Sequence, residues 1–228
     1  MAIEIIAEIG SNPVSYGWSF EPFAKAARNA GATHLKAQLF KAEHFQPAEW
    51  AEKFKLEFPR ERLHDFADTA HAYGLRAGAS VFDAEAVTLV ARELDFIKLA
   101  AREQDNEELI MDCTSRGKPI YRSIDDPHKF RTAFEDLIIT LGVVQKYPLG
   151  TFGGMRAVMA WSTLFKSWGV QSWGWSSHTT GWLDCWMAAR LGASVVEKHL
   201  ALSPNDIEAR HSLLPAQFKK MVSKCQSH

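Results

Sequence analysis

Residues 170–200 read VQSWGWSSHTTGWLDCWMAARLGASVVEKHL. A β-type run (170–176) opens the stretch, with Trp173 and Trp175 alternating about Gly174. A helical pattern follows over 180–191 and stops before Gly192. Glycine just past a helix end is the expected terminator, because it enters the left-handed backbone region without a Cβ penalty. A second β-type run (194–200) comes next. Strand, helix, glycine, strand is the repeating unit of a parallel α/β sheet.

The same unit recurs along the whole chain. Further β-type runs lie at 3–9, 33–39, 75–81, 95–100, 119–124 and 137–144. Several are apolar throughout, as strands buried on both faces are. Helical patterns lie at 20–30, 60–73, 84–94, 106–116, 127–135, 154–168 and 215–224, and four of them stop before Gly31, Gly74, Gly117 and Gly169. With 180–191 and the two runs above, eight strand and eight helix signals alternate at roughly 28 residues per unit, near the minimum for a (β/α)8 barrel. A doubly wound open sheet shows the same alternation, but it favours a glycine-rich first turn. Here that turn, Gly10-Ser11-Asn12-Pro13-Val14-Ser15-Tyr16-Gly17, holds no G-x-G-x-x-G pattern. No linker interrupts the series, so residues 1–228 are expected to form a single α/β domain, a (β/α)8 TIM barrel.

Composition agrees with a folded chain and excludes several functions. Of 228 residues 46% are hydrophobic and 23% charged, ordinary for a globular protein. Lys plus Arg number 26 against 27 Asp plus Glu, a net charge of −1. So even a balance offers no global field for nucleic acid or an anionic membrane, and neither is expected as a partner. Cys113, Cys185 and Cys225 are odd in number and far apart, which argues against a disulfide framework or thiolate zinc site and for a reducing compartment. The first eight residues carry acids where a secretory signal needs bases, and the longest apolar stretch (137–144) falls far short of the ~20 residues of a membrane span. A cytoplasmic location is expected.

In a (β/α)8 barrel the chemistry sits at the C-terminal ends of the strands. The polar residues there are Glu8, Lys36 with Gln38, Ser80, Lys98 with Glu103, Ser123, Gln145 to Tyr147, Ser176 with His178, and Lys198 with His199. A buried, unpaired ammonium is costly, so Lys36 and Lys98 either converge on a phosphate or carboxylate or pair with nearby acids. His178 and His199 end neighbouring strands; they suit a divalent ion of the Mn, Fe, Co or Zn group, or else each bonds a core carbonyl. Glu8 and Glu103 suit sugar hydroxyls or proton transfer, with a salt bridge to a barrel lysine the alternative for Glu8. Ser80, Ser123 and Ser176 offer hydroxyls to a phosphate, or are ordinary strand ends. His34, His44, His64, His71, His128, His211 and His228 are expected at the surface. Trp161, Trp168, Trp182 and Trp186 are expected in packing; whether Trp173 or Trp175 faces a ligand is open.

On these residues the chain resembles the barrel domain of the sialic acid synthase family, N-acetylneuraminate synthase and its relatives. The resemblance runs through Ile6-Ala7-Glu8-Ile9-Gly10-Ser11-Asn12, Ala30-Gly31-Ala32 with Leu35-Lys36-Ala37-Gln38, Ser80-Val81-Phe82-Asp83 and Phe96-Ile97-Lys98-Leu99. It continues through Gly117-Lys118-Pro119, Tyr147-Pro148, Trp175-Ser176-Ser177-His178-Thr179, Leu191-Gly192-Ala193 and Val196-Glu197-Lys198-His199. It implies condensation of phosphoenolpyruvate with an N-acyl aminosugar such as N-acetylmannosamine, giving a nine-carbon 2-keto sugar acid and phosphate. By position it implies His178 and His199 as metal ligands. Lys36, Ser80, Lys98, Ser123, Gln145 and Ser176 become phosphoenolpyruvate contacts, and Glu8, Glu103 and Tyr147 the sugar-side and proton-handling groups. The implied cofactor is a divalent metal, Mn2+ first, with Mg2+, Co2+ and Zn2+ as alternatives; the implied partners are the two small substrates and a second copy of the chain in a homo-oligomer.

The chain departs from the family at several positions. Ala101 and Arg102 replace a serine and a small residue, Gln145 an asparagine and Ser80 a threonine. Pro13-Val14-Ser15 replaces His-Asn-Gly, Ser177 an acid, and Glu208 stands for an aspartate. The sequence ends at His228, so the resemblance covers the barrel without the family's C-terminal antifreeze-like domain. Two other readings stay open at this stage: a Schiff-base aldolase using Lys98 or Lys198, and a non-catalytic barrel that binds a sugar or phosphorylated ligand.

Overall fold

A computed structural model describes residues 3–130 and 137–227. Eight parallel strands follow one another around a ring: β1 (Glu4–Glu8), β2 (His34–Leu39), β3 (Arg76–Val81), β4 (Phe96–Leu99), β5 (Ile120–Ile124), β6 (Ile138–Val143), β7 (Trp173–Ser177) and β8 (Val195–Leu200). The ring closes where β1 pairs with β8, from Glu4 opposite Val195 to Glu8 opposite His199. A two-residue strand, β9 (Ser212–Leu213), adds to the end of β8 with Ser212 opposite His199. The open-sheet alternative is thereby excluded. Each observed strand lies within one residue of its predicted run, except that β7 begins three residues later.

Helices cover the outside: α1 (Glu21–Ala30), the single turn α2 (Trp50–Lys53), α3 (Leu63–Ala72), α4 (Ala84–Glu93), α5 (Glu107–Thr114), α6 (Thr151–Ser167), α7 (Leu183–Arg190) and α8 (Pro215–Gln226). Of the helix expected over 127–135, the structure gives a 3-10 turn at Pro127–Lys129, and the stretch 131–136 lies outside the described residues. Gly31 ends α1 at φ +91° and donates its N–H to Arg28 O, which shows why the glycine stops are legible in sequence.

Side chains alternate in and out along each strand. On β2, Leu35, Ala37 and Leu39 belong to the apolar layer under the helices. A separate cluster of Ile6, Phe96, Tyr121, Leu141 and Val195 plugs the barrel. Two glycines make room for it. A Cβ at Gly78 would lie 2.2 Å from Phe96 Cζ, and one at Gly174 would lie 2.7 Å from Leu141 Cγ. Below the plug Tyr121 Oη donates to Glu4 Oε2 at 2.7 Å, and His34 Nδ1 lies 2.7 Å from Thr33 Oγ1. His34, expected at the surface, is therefore a buried member of the inner wall, and burial lowers its pKa to about 4. His64, His71 and His128 are exposed, as expected.

Both strand-seven tryptophans face outward. Trp175 Nε1 donates to Asp184 Oδ2 at 2.8 Å, and Trp173 stacks on Phe165. All three cysteines are free and buried. Among the described residues no helix is long and apolar enough to cross a membrane.

Gly78→Ala is expected to destabilise the barrel by about 1–3 kcal/mol, because Phe96 is walled in and cannot retreat. Thermal unfolding should register a fall of roughly 2–12 °C; an unshifted midpoint would show that the plug tolerates added volume.

Candidate functional site

Above the apolar plug, the next inward position of nearly every strand is polar. Glu8, Lys36, Ser80, Lys98, Ser123, Ser176, Glu197 and His199 line one cavity of about 560 Å³, with His178 at the end of β7. That volume suits a small-molecule site. Gln38, Ala101, Arg102, Gln145 and Tyr147 line it nearer the mouth, beside an apolar rim of Phe40, Phe45 and Phe82.

Four charges form the floor. Lys36 makes an ion pair with Glu8, lies 3.5 Å from Glu197 Oε2 and donates to Ser80 Oγ at 2.7 Å. Lys98 donates to Ser123 Oγ at 2.7 Å and lies 3.8 Å from Glu197 Oε1, which also accepts from Ser176 Oγ at 2.9 Å. Glu197 thus stands between the two lysines. Burial pushes its carboxyl up, but Lys36 and then Lys98 outweigh burial and hold it at about 2. Lys36 is raised, since Glu197 and Glu8 overcome its burial. Burial dominates at the other two groups. It lifts Glu8 to about 7 against the pull of Lys36, and it lowers Lys98 to about 8 against the pull of Glu197. When Glu8 holds its proton and Lys98 is charged, two ammoniums face one carboxylate. The floor then carries one net positive charge and suits an anion.

Both open readings of the lysines contain part of the answer: they pair with acids, and they also converge. Glu197 is the residue that sequence reasoning passed over. Its signal was present, because an inward His199 makes Glu197, two residues earlier, inward as well. The same parity turns Lys198 out of the cup; it donates to Thr179 O at 2.5 Å and to Ser177 Oγ at 3.1 Å.

Three imidazoles meet on one side of the mouth. The His178 and His199 rings are 5.4 Å apart, and His211 lies 4.5 Å from His199 and 6.0 Å from His178. His211 was expected at the surface; it is half-buried within the site instead. Glu208 Oε2 lies 2.8 Å from His199 Nδ1. Burial lowers His199 and His211 to about 3 and His178 well below the usual histidine range, so all three are neutral and present lone pairs. Three neutral imidazoles and a carboxylate form a donor set that fits a divalent first-row metal.

The remaining predicted residues sit at the rim or beyond it. The Tyr147 ring is 4.2 Å from that of His178, and burial pushes its hydroxyl up to about 12. Gln145 Nε2 donates to Asp125 Oδ2 at 2.5 Å. Glu103 is not among the cavity-lining residues; it lies in the 3-10 turn Ala101–Glu103, where its Oε2 accepts from Asn106 Nδ2 at 3.1 Å. Arg102 crosses the rim, donating to His44 O at 2.8 Å with its guanidinium 4.4 Å from the Phe45 ring centre.

Residues 23–228 match the NeuB family. The uncharacterized protein MJ1065 of Methanocaldococcus jannaschii is 27% identical over 238 residues, which cover 96% of this chain and 68% of that protein. The N,N'-diacetyllegionaminic acid synthase of Legionella pneumophila is 25% identical over 255 residues, covering 97% of this chain and 71% of its own. The crystal structure of the N-acetylneuraminic acid synthetase of Leptospira borgpetersenii, in complex with citrate, superposes with a TM-score of 0.88 at 20% identity, over 99% of this chain and 83% of that one. At that identity the likeness speaks for the fold.

Because Glu197 is the acid that sustains the charge on Lys98, Glu197→Gln should move the Lys98 titration below about 8. Side-chain NMR of labelled lysines measures this directly, and an unmoved midpoint would show that Glu197 does not couple the two lysines.

Proposed function

The chain belongs to the NeuB family, and on that premise we propose that it condenses phosphoenolpyruvate with the open-chain aldehyde of an N-acyl aminosugar. The products are a 2-keto sugar acid and inorganic phosphate. The observation that carries the reading is the floor of the cup, where two buried ammoniums share a single fully ionised carboxylate beside three neutral imidazoles. Relatives named for legionaminic and sialic acid synthesis support an aminosugar as the acceptor.

In this reading Lys36 and Lys98 neutralise the phosphate and carboxylate of phosphoenolpyruvate, and Ser80, Ser123 and Ser176 supply hydroxyls to the same oxygens. The methylene carbon of the enol forms a bond to the aldehyde carbon, whose oxygen takes up a proton and becomes a hydroxyl. Water then adds to the electron-poor C2 and gives up a proton. The C2–O bond to phosphate breaks, and the new C2 hydroxyl loses its proton to become the keto group. Phosphoenolpyruvate, aldehyde and water thus balance keto acid and phosphate. Glu8, titrating near 7 at the cup floor, is suited to hold and return a proton during these steps. His178 and His199 would hold the divalent metal, most simply Mn2+, which when bound supplies Lewis acidity to a carbonyl oxygen. Tyr147 belongs to the acceptor side by its place at the rim.

Lys98, with its pKa lowered to about 8, also suits Schiff-base chemistry, whereas Lys198 points out of the cup. Borohydride treatment with a keto acid separates the two mechanisms, and no lysine adduct is expected.

Phosphate release from phosphoenolpyruvate with Mn2+ and a panel of N-acyl aminosugars, followed by product mass, tests the proposal; no release with any acceptor would overturn it. Lys36→Ala should weaken phosphoenolpyruvate binding by roughly 1.5–3 kcal/mol, a loss of one charge-assisted contact, and calorimetry showing wild-type affinity would remove Lys36 from the site. The pH dependence has a definite sign. The net positive floor needs Glu8 protonated and Lys98 charged, so affinity should be highest below about pH 7 and decline as pH rises through about 7 and about 8, where the two groups lose their protons. Lys98→Met should flatten that slope.

A further inference from the structure

The loop between β8 and β9 folds back over the mouth, and the first loop of the chain pins it there. Asn12 Nδ2 donates to Leu200 O at 2.9 Å, and the Glu208 N–H donates to Asn12 Oδ1 at 2.8 Å. Ser11 N–H donates to Glu208 Oε1 at 3.1 Å, which leaves Oε2 for the histidines. Gly10, at φ +50°, is the cradle. A Cβ there would lie 1.9 Å from Glu208 Oε2, so only glycine lets the carboxylate reach this position. His211 is fixed from the other side. It ends the 3-10 turn Ala209–His211 directly before β9, and its Nε2 lies 4.0 Å from Glu208 Oε2. One ligand atom each from His199, Glu208 and His211 falls within a single 4.8 Å span.

Resting on the reading of this cup as a divalent-cation site, we infer that Glu208 and His211 are ligands of the cation together with His199. With His178 across the cup, the set is three imidazoles and one carboxylate. Such a set leaves coordination positions open for a substrate oxygen and favours the later first-row ions over Mg2+, because imidazole is the softer donor. The first loop then acquires a stated job: Gly10, Ser11 and Asn12 aim the carboxylate.

The test uses the full chain stripped with a chelator and titrated calorimetrically with Mn2+ or Co2+ alone, with the visible spectrum of the Co2+ form as a second readout. Wild-type protein should bind one ion. His211→Ala and Glu208→Gln should each weaken Co2+ binding at least tenfold and change the cobalt spectrum, at unchanged thermal stability. His211→Gln, which keeps the side chain's bulk, serves where the alanine variant does not fold and should show the same loss. If these variants bind Co2+ with wild-type affinity and spectrum while His178→Ala and His199→Ala lose it, the inference is overturned and the proposed function stands. If wild-type protein binds neither ion, the metal reading itself fails, and this inference with it.

Discussion

Everything at the mouth depends on one backbone ladder, the pairing of β1 with β8. Those strands come from opposite ends of the chain, and their register sets Glu8 beside His199. Loop-closure entropy rises only slowly with length, so so distant a pairing is affordable once the intervening strands have formed. Its consequence is strict. A slip of β8 by one residue would turn Glu197 and His199 outward together, away from Glu8, since side chains alternate with period two. Closure and chemistry therefore share one constraint.

That constraint creates an electrostatic obligation. Lys36, Lys98, Glu8 and Glu197 are all buried, and no one of them could stay charged alone. Removing one partner of such a set typically costs about 3–5 kcal/mol, because the other charge is stranded. The set is nonetheless unevenly matched. Glu197 lies near both lysines and is fully ionised, while Glu8, whose one ion pair among the described residues is with Lys36, titrates near neutrality. A neutralised floor would hold the fold together but attract nothing. This one keeps an excess of positive charge that an anion can satisfy.

The limits of sequence reading follow from the same geometry. The strands were legible because buried parallel strands read as apolar runs, and the helices because glycines end them. The floor was legible where a polar residue interrupts such a run, as Lys36 and Lys98 do. Parity, applied further, would also have reached Glu197 from His199, His34 from Lys36, and the outward turn of Trp175 from Ser176. His211 and Glu208 belong to another category. They lie in irregular chain after β8, where no periodicity operates; Gly10, Ser11 and Asn12 from the far end of the sequence help set Glu208, and the turn into β9 sets His211. Glu103 shows the converse: proximity in sequence to Lys98 did not carry it into the cup, because a 3-10 turn directs its carboxylate to Asn106.

The two halves of the cup are also electrostatically distinct, and this separation is what the proposed chemistry needs. The floor holds ammoniums, which neutralise oxyanions but offer no lone pairs. The histidine side holds neutral imidazoles, which offer lone pairs but no charge. Burial produces both outcomes. It acts against charge everywhere in the cup, and Lys36 and Glu197 remain ionised because each has an opposite charge close by. At the imidazoles burial is reinforced by neighbouring positive groups, and the pull of Glu197 and Glu208 does not overcome it, so they stay neutral. A floor suited to an anion and a wall suited to a cation can thus stand side by side in one cavity, because the pattern of side-chain neighbours decides which groups keep their charge.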